Sequence, residues 1–179
     1  MIFTATPLAG AFIVDVEPHS DERGLFARTY CAEEFRARGL ADAMLQISVS
    51  FNARRATLRG MHYQASPHEE DKLVRCTAGA IFDVIVDIRP GSASYKGWFG
   101  AELTADNRRA VYVPKGFAHG FLSLRDASEV LYLMSVPEVA AAGRGFAWND
   151  PAIGIDWPLE PLVMSARDAI QAPFDPAQR

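Results

Sequence analysis

Four ionisable side chains lie in apolar, strand-like stretches of the sequence. They are His62 in LRGMHYQ, Lys72 at the head of KLVRCTA, Tyr132 in the middle of EVLYLM, and His119 at the end of PKGFAH. Taken singly, each has an ordinary structural reading: a satisfied core or rim histidine, an edge lysine whose stem lies on apolar surface, a core tyrosine with its hydroxyl paired, and a turn histidine preceding a strand from Gly120 to Leu124. Taken together they are the parts needed to remove a proton next to a carbonyl. Histidine is the common general base near neutral pH. A lysine or histidine donor stabilises an enolate oxygen as charge develops there, and a tyrosine can return a proton from another direction. Such chemistry needs no covalent nucleophile and no cofactor. Polar groups converging in an apolar pocket are the usual mark of a site, so the four are expected to line one cavity. Gly60, two positions before His62, marks a place where a bulge or a close backbone approach is natural.

A metal centre is the competing reading. Pro114, Gly116 and His119 match the second half of a cupin metal motif, whose first half normally carries His-x-His followed by Glu. Here that first half reads His62-Tyr63-Gln64, one ligand short. A transition-metal site needs about three or four protein ligands, which His62, His119 and Glu69 or Glu70 would have to supply. The expectation is that no metal is held.

The elements that must position these groups are mostly strands. Segments 11–17, 24–30, 44–51, 58–64, 72–78, 80–88, 98–103, 110–114, 120–124 and 129–135 alternate with period two or form short apolar runs rich in Val, Ile, Phe and Tyr. Turn residues separate them at Asp21 to Gly24, Ala78-Gly79, Arg89-Pro90-Gly91, Asp106-Asn107 and Pro114 to Gly116. Helical patches are few: AEEFRARGL (32–40), closed by Gly39, and SARDAI (165–170), with Ser165 as N-cap. About ten short strands predict an all-β fold, a jelly roll or β-barrel sandwich with a few short peripheral helices. One domain over 1–179 suits the length, with loops and short helices over 137–179.

Composition narrows the function classes. Acidic residues outnumber basic ones 22 to 18, for a net charge of −4, so the basic footprint of a nucleic-acid binder is missing. No apolar run approaches the roughly 18 residues of a membrane span, and no basic residue precedes the apolar start as in a signal peptide. Two cysteines, Cys31 and Cys76, make no disulfide framework. A reducing cytoplasm fits these features.

With these motifs in view, the chain resembles the dTDP-4-dehydrorhamnose 3,5-epimerases, a family of cupin-type enzymes. The matching segments are DERGLF (21–26), TLRGMHYQ (57–64), KLVR (72–75), FDVIVDIR (82–89), GWFGAEL (97–103), VPKGFAHGFLSL (113–124), EVLYL (129–133) and WNDPAIGIDWP (148–158), in family order from about residue 10 to 170. The resemblance implies roles residue by residue. His62 removes the C3 and C5 protons of a nucleotide-linked 4-keto-6-deoxyhexose, Asp168 of SARD orients it, Lys72 stabilises the enolate, and Tyr132 delivers a proton to the opposite face. It also implies that Arg23, Phe26, Arg28, Gln46, Ser48, Arg59, His119 and Arg167 bind substrate; independently of it, a guanidinium such as that of Arg59 suits a diphosphate through a bidentate fork. A homodimer follows by the same resemblance, with the strand region of about 1–30 exchanged between subunits.

Departures from the family pattern cluster. Arg28 stands where many members have Glu, Ser48 replaces the Asn of a Gln-x-Asn, and Glu138 falls near a base-stacking tyrosine. Gly143 replaces an acid and Arg167 a lysine. The catalytic set is thus kept while the nucleotide-recognition set is altered. Double epimerisation of the dTDP sugar is the leading reading. Inversion of C3 or C5 alone, a nucleotide other than dTDP, a metal-dependent cupin enzyme and a non-catalytic sugar-nucleotide binding module are the alternatives.

Overall fold

A computed structural model describes residues 1–178. Among them are thirteen strands. The strands are β1 (Ile2–Ala5), β2 (Phe12–Asp15), β3 (His19–Asp21), β4 (Gly24–Phe26), β5 (Gln46–Asn52), β6 (Leu58–Gln64), β7 (Lys72–Ala78), β8 (Ala80–Asp87), β9 (Trp98–Thr104), β10 (Ala110–Val113), β11 (Phe117–Ser123), β12 (Ser128–Met134) and β13 (Gly143–Gly145). Two short α-helices, α1 (Ala32–Arg36) and α2 (Ala166–Ala169), and two single-turn 3₁₀ segments complete the order.

A six-stranded sheet runs β1-β2-β10-β7-β12-β5, and a five-stranded sheet runs β13-β6-β11-β8-β9. β3 and β4 form a separate hairpin. All strand pairs are antiparallel. The two sheets stack as a jelly roll because each has an apolar inner face. Val74, Cys76, Val111, Val113 and Val130 from one sheet meet Ile81, Ile85, Leu103, Phe117 and Phe121 from the other. Both outer faces are partly roofed. Phe35 of α1 covers Val14, Leu73 and Ala110 on the six-stranded sheet, while Phe146, Ile153 and Phe174 cover Met61, Val84 and Val86 on the five-stranded one.

Two local features decide where the functional side chains point. β6 pairs with β11 through His62 opposite His119 and Arg59 opposite Phe121, so three steps on β6 match two on β11. This is a β-bulge. In a regular strand Arg59 and His62 would face opposite sides; the extra residue brings both to one face. The bulge is built on two glycines in contact. A Cβ on Gly60, whose φ is +135°, would lie 2.6 Å from the Gly120 Cα. The second feature is β5, an edge strand. Gln46, Ser48, Ser50 and Asn52 alternate with Ile47, Val49 and Phe51, and the apolar set is the exposed one, at 64, 57 and 58%.

Most expected segments form, with some corrections. β6 and β7 span the expected 58–64 and 72–78. The expected strand over 24–30 stops at Phe26, because the next stretch serves other partners: the Thr29 carbonyl accepts from Arg75 Nη2 at 3.1 Å, and the Tyr30 ring packs 4.9 Å from Phe35. His119 is no turn residue. It lies inside β11, which starts at Phe117 because that residue already pairs with Asp87 of β8. β1, β3 and β13 are too short to show a period. The helical stretch 32–40 is regular only to Arg36, and then Gly39, with φ +69°, ends it. Leu40 N–H donates to Phe35 O and Gly39 N–H to Arg36 O, both at 3.0 Å, the pattern of a Schellman C-terminus.

Candidate active site

A cavity of about 630 Å3 opens between the sheets. Lys72, Tyr132, Ser48 and Ser50 line it from the six-stranded sheet; Arg59, His62, Gln64 and His119 line it from the five-stranded sheet. The C-terminal segment supplies a third side with Met164, Ser165, Arg167 and Asp168. That segment is fastened to the start of β6, where Leu58 N–H donates to Val163 O at 2.8 Å.

His62 Nε2 lies 2.6 Å from Asp168 Oδ1. The local sequence explains how an aspartate in a four-residue helix reaches that point. Ser165 caps α2 by accepting the Asp168 N–H at 3.0 Å, which fixes the backbone and turns the carboxylate inward. Burial by itself would raise the Asp168 pKa. The hydrogen bond and charge of His62, the Ser165 hydroxyl and the Gly60 amide outweigh burial and hold it below the ordinary carboxylate value. Asp168 therefore stays ionised beside the imidazole.

On the facing wall the Tyr132 hydroxyl lies 3.4 Å from Ser50 Oγ. Desolvation pushes this phenol well above its ordinary value, and the opposing Ser50 hydrogen bond is the smaller effect. It therefore holds its proton at neutral pH. Lys72 Nζ is 2.8 Å from Glu70 Oε1, and Gln64 Nε2 donates to the other Glu70 oxygen at 3.1 Å. Arg59 is braced by Nε to Asn52 Oδ1 at 2.9 Å and by Nη2 to the Phe51 carbonyl at 3.3 Å. His119 Nε2 is 2.7 Å from Asp83 Oδ1.

Eight of the twelve residues expected at the site line this cavity: His62, Lys72, Tyr132, Asp168, Arg59, His119, Ser48 and Arg167. Gln46 stands just behind. Its Nε2 donates to Ser48 Oγ at 3.3 Å and its Oε1 accepts the Glu138 N–H at 3.0 Å. Arg23, Phe26 and Arg28 are elsewhere. Arg23 pairs with Asp21 on the β3–β4 hairpin, Phe26 is 77% exposed, and Arg28 pairs with Glu34 at 3.1 Å. Sequence reasoning missed Asp83 and Ser50, and weighed Glu70 only as a metal ligand. Asp83 carried a usable signal, an acid inside the apolar run AIFDVIVD.

The alternative donor set for a metal does not come together. Among the described residues, no three His, Cys, Asp or Glu side chains are grouped so as to hold a metal ion. Each of the two histidines has Nε2 against a carboxylate, and Glu70 is paired with Lys72.

Comparison with known proteins agrees with this geometry. A family model described as dTDP-4-dehydrorhamnose 3,5-epimerase matches residues 5–175. The enzyme of that name from Sinorhizobium fredii is 39% identical over 172 residues, 96% of this chain and 88% of the relative. The crystal structure of the Bacillus anthracis enzyme of that name, with TDP and PPi bound, superposes with a TM-score of 0.93 at 35% identity, covering 97% of this chain and 99% of that one. A Legionella pneumophila dTDP-6-deoxy-D-glucose-3,5-epimerase, in complex with dTDP-4-keto-L-rhamnose, gives a TM-score of 0.90 at 34% identity over 96% and 92% of the two chains.

Proposed function

The chain belongs to the dTDP-4-dehydrorhamnose 3,5-epimerase family, and from that membership we propose that it inverts C3 and C5 of a nucleotide-linked 4-keto-6-deoxyhexose, converting dTDP-4-dehydro-6-deoxy-D-glucose to dTDP-4-dehydro-L-rhamnose. The observation that carries this reading is the placement of His62 and Tyr132 on opposite walls of one cavity. Inversion requires a proton to leave one face of a carbon and another to arrive at the other face.

In the proposed cycle the His62 imidazole takes the C–H proton next to the keto group, and ionised Asp168 steadies the resulting imidazolium and fixes the ring tautomer. Electron density moves to the keto oxygen, where the Lys72 ammonium balances the enolate charge. Tyr132 then gives its phenolic proton to carbon from the opposite side. Imidazolium and phenolate return to their starting states by proton exchange before the second carbon reacts. Arg59 faces the diphosphate, for which a guanidinium fork is suited. Glu138, Gly143 and Arg167 lie together on the rim, where the sequence departs from the family pattern, and we assign them to the nucleotide.

The acting form is proposed to be a homodimer of single-domain chains. The exposed stripe Ile47, Val49 and Phe51 on the edge strand β5, extended by Leu45 just before it, supports it, and exchange of the β3–β4 hairpin would bring Arg23 and Phe26 to a neighbour's cavity. No helix among the described residues is long and apolar enough to cross a membrane. A cytoplasmic location is proposed on the free state of Cys31 and Cys76.

In deuterated water the substrate should gain label at C3 and C5, and NMR of the product distinguishes double from single inversion. His62→Ala should lower the rate by at least roughly 10²-fold. A bound substrate that exchanges no carbon-bound hydrogen overturns the proposal.

A further inference from the structure

The cavity contains a second imidazole–carboxylate pair that the proposed cycle leaves without a role. His62 and His119 are direct register partners across β6 and β11, so the two rings stand side by side on one wall. Each is tied from behind by its own aspartate: His62 by Asp168 at 2.6 Å, His119 by Asp83 at 2.7 Å. The two pairs differ in setting. The His62 side chain is 39% exposed, whereas those of His119 and Asp83 are 6% and 0% exposed. The surroundings of the second pair are apolar: Val74, Cys76, Ile85 and Phe121 belong to the same buried cluster as Tyr132, and the Tyr132 ring stands edge-on to His119 at 6.0 Å.

Asp83 Oδ2 is buried without a hydrogen-bond partner, alone in that state among the described residues. An aspartate kept in an apolar core with one oxygen unsatisfied costs stability. Apolar residues in place of the whole Asp83–His119 pair would carry no such cost. The one side-chain hydrogen bond of Asp83 is therefore where its use must lie, and it is made to a ring lining the cavity. A carboxylate accepting from Nε2–H selects the Nε2-protonated tautomer and leaves the lone pair on Nδ1. With Nε2 held inward, Nδ1 is the ring nitrogen available to the cavity.

We propose that Asp83 is a positioning residue: it holds His119 as the Nε2–H tautomer, with Nδ1 turned to the cavity beside His62 to accept a hydrogen bond from a hydroxyl of the sugar. This rests on the sugar-nucleotide reading above and assigns a partner to the sugar's O–H donors on the wall that bears the base. Held beside the base, a hydroxyl sets the ring's orientation and so decides which C–H faces His62.

Two measurements on the full-length protein test this. The first needs no substrate. In ¹⁵N spectra of labelled protein at a pH where the ring is neutral, His119 should read as protonated at Nε2 and bare at Nδ1. An Nδ1-protonated ring overturns the proposal whatever the enzyme's activity. The second is Asp83→Ala, which removes the acceptor without overfilling the buried site. It should fold with thermal stability lowered, because the buried His119 Nε2–H is left without its acceptor, lose the fixed tautomer, and raise KM for the 4-keto sugar nucleotide about tenfold, as expected for one lost hydrogen bond, with kcat within about threefold. An unchanged KM in a folded variant overturns the role. If the wild type turns over no substrate, the epimerase reading fails while the ¹⁵N measurement still decides the tautomer.

Discussion

At the scale of single residues, the division of labour between His62 and Tyr132 makes a sharper prediction than loss of activity. In the proposed cycle the two groups act on opposite faces, so removing one should separate steps that normally run together. Tyr132→Phe keeps the ring and its packing and removes only the hydroxyl that supplies the proton. His62 can still abstract, exchange with solvent and return a deuteron to the same face. The recovered substrate should therefore carry label without inversion, while epimerised product falls by at least roughly 10²-fold; NMR of a reaction quenched in deuterated water shows both. Inverted product at near wild-type rate would remove Tyr132 from the chemistry. Much of this was legible in the sequence, because His62, Lys72 and Tyr132 are ionisable groups inside apolar alternation and Ser165 announces the cap that sets Asp168. Ser50 was not, and Glu70 was read only as a metal ligand, not as the partner of Lys72. A serine in an alternating strand reads as an ordinary solvated position, and only the fold shows that the polar side of β5 is the inner one.

At the scale of elements, the β6–β11 bulge links chain geometry to the candidate site, since it brings Arg59 and His62 onto one wall. Gly60→Ala tests it. A methyl group there would lie 2.6 Å from the Gly120 backbone, at φ +135° where a side chain is strained. Steric overlap and dihedral strain together suggest about 3 kcal/mol of destabilisation, which for a chain of this size lowers Tm by roughly 10 °C. A thermal melt checks it, and an unchanged Tm would show that the two strands can part without cost. The glycine and its bulge were legible as a local anomaly, as were the long strands, because β6 and β7 are runs of seven residues closed by turn residues. β13 was not legible. Gly143-Arg144-Gly145 has no strand propensity and becomes a strand only because the outer edge of β6 offers it hydrogen bonds. Its position depends on partners far away in the sequence, which a local pattern cannot register.

At the scale of the whole molecule, one chain leaves two groups of residues without use: the apolar stripe of β5, and Arg23 with Phe26 on a hairpin remote from its own cavity. A second copy accounts for both if the stripe is covered by its partner and the hairpin reaches the partner's cavity. Burying Ile47, Val49 and Phe51 from each copy contributes on the order of 2 kcal/mol per side chain, so Val49→Lys should convert the species seen by light scattering from dimer to monomer. Exchange of the hairpin makes a stronger demand. Arg23→Ala should lower kcat/KM about tenfold or more, although Arg23 does not line the cavity of its own chain. Mixing it with His62→Ala should restore activity, because a mixed dimer contains one cavity with an intact base and an intact partner hairpin, and one with neither. Such dimers should turn over at about half the wild-type rate per dimer, since two-fold symmetry gives one complete site of two. If Arg23→Ala is fully active, or if mixing after subunit exchange restores nothing, the hairpin does not serve a neighbour's site and each chain works with its own cavity.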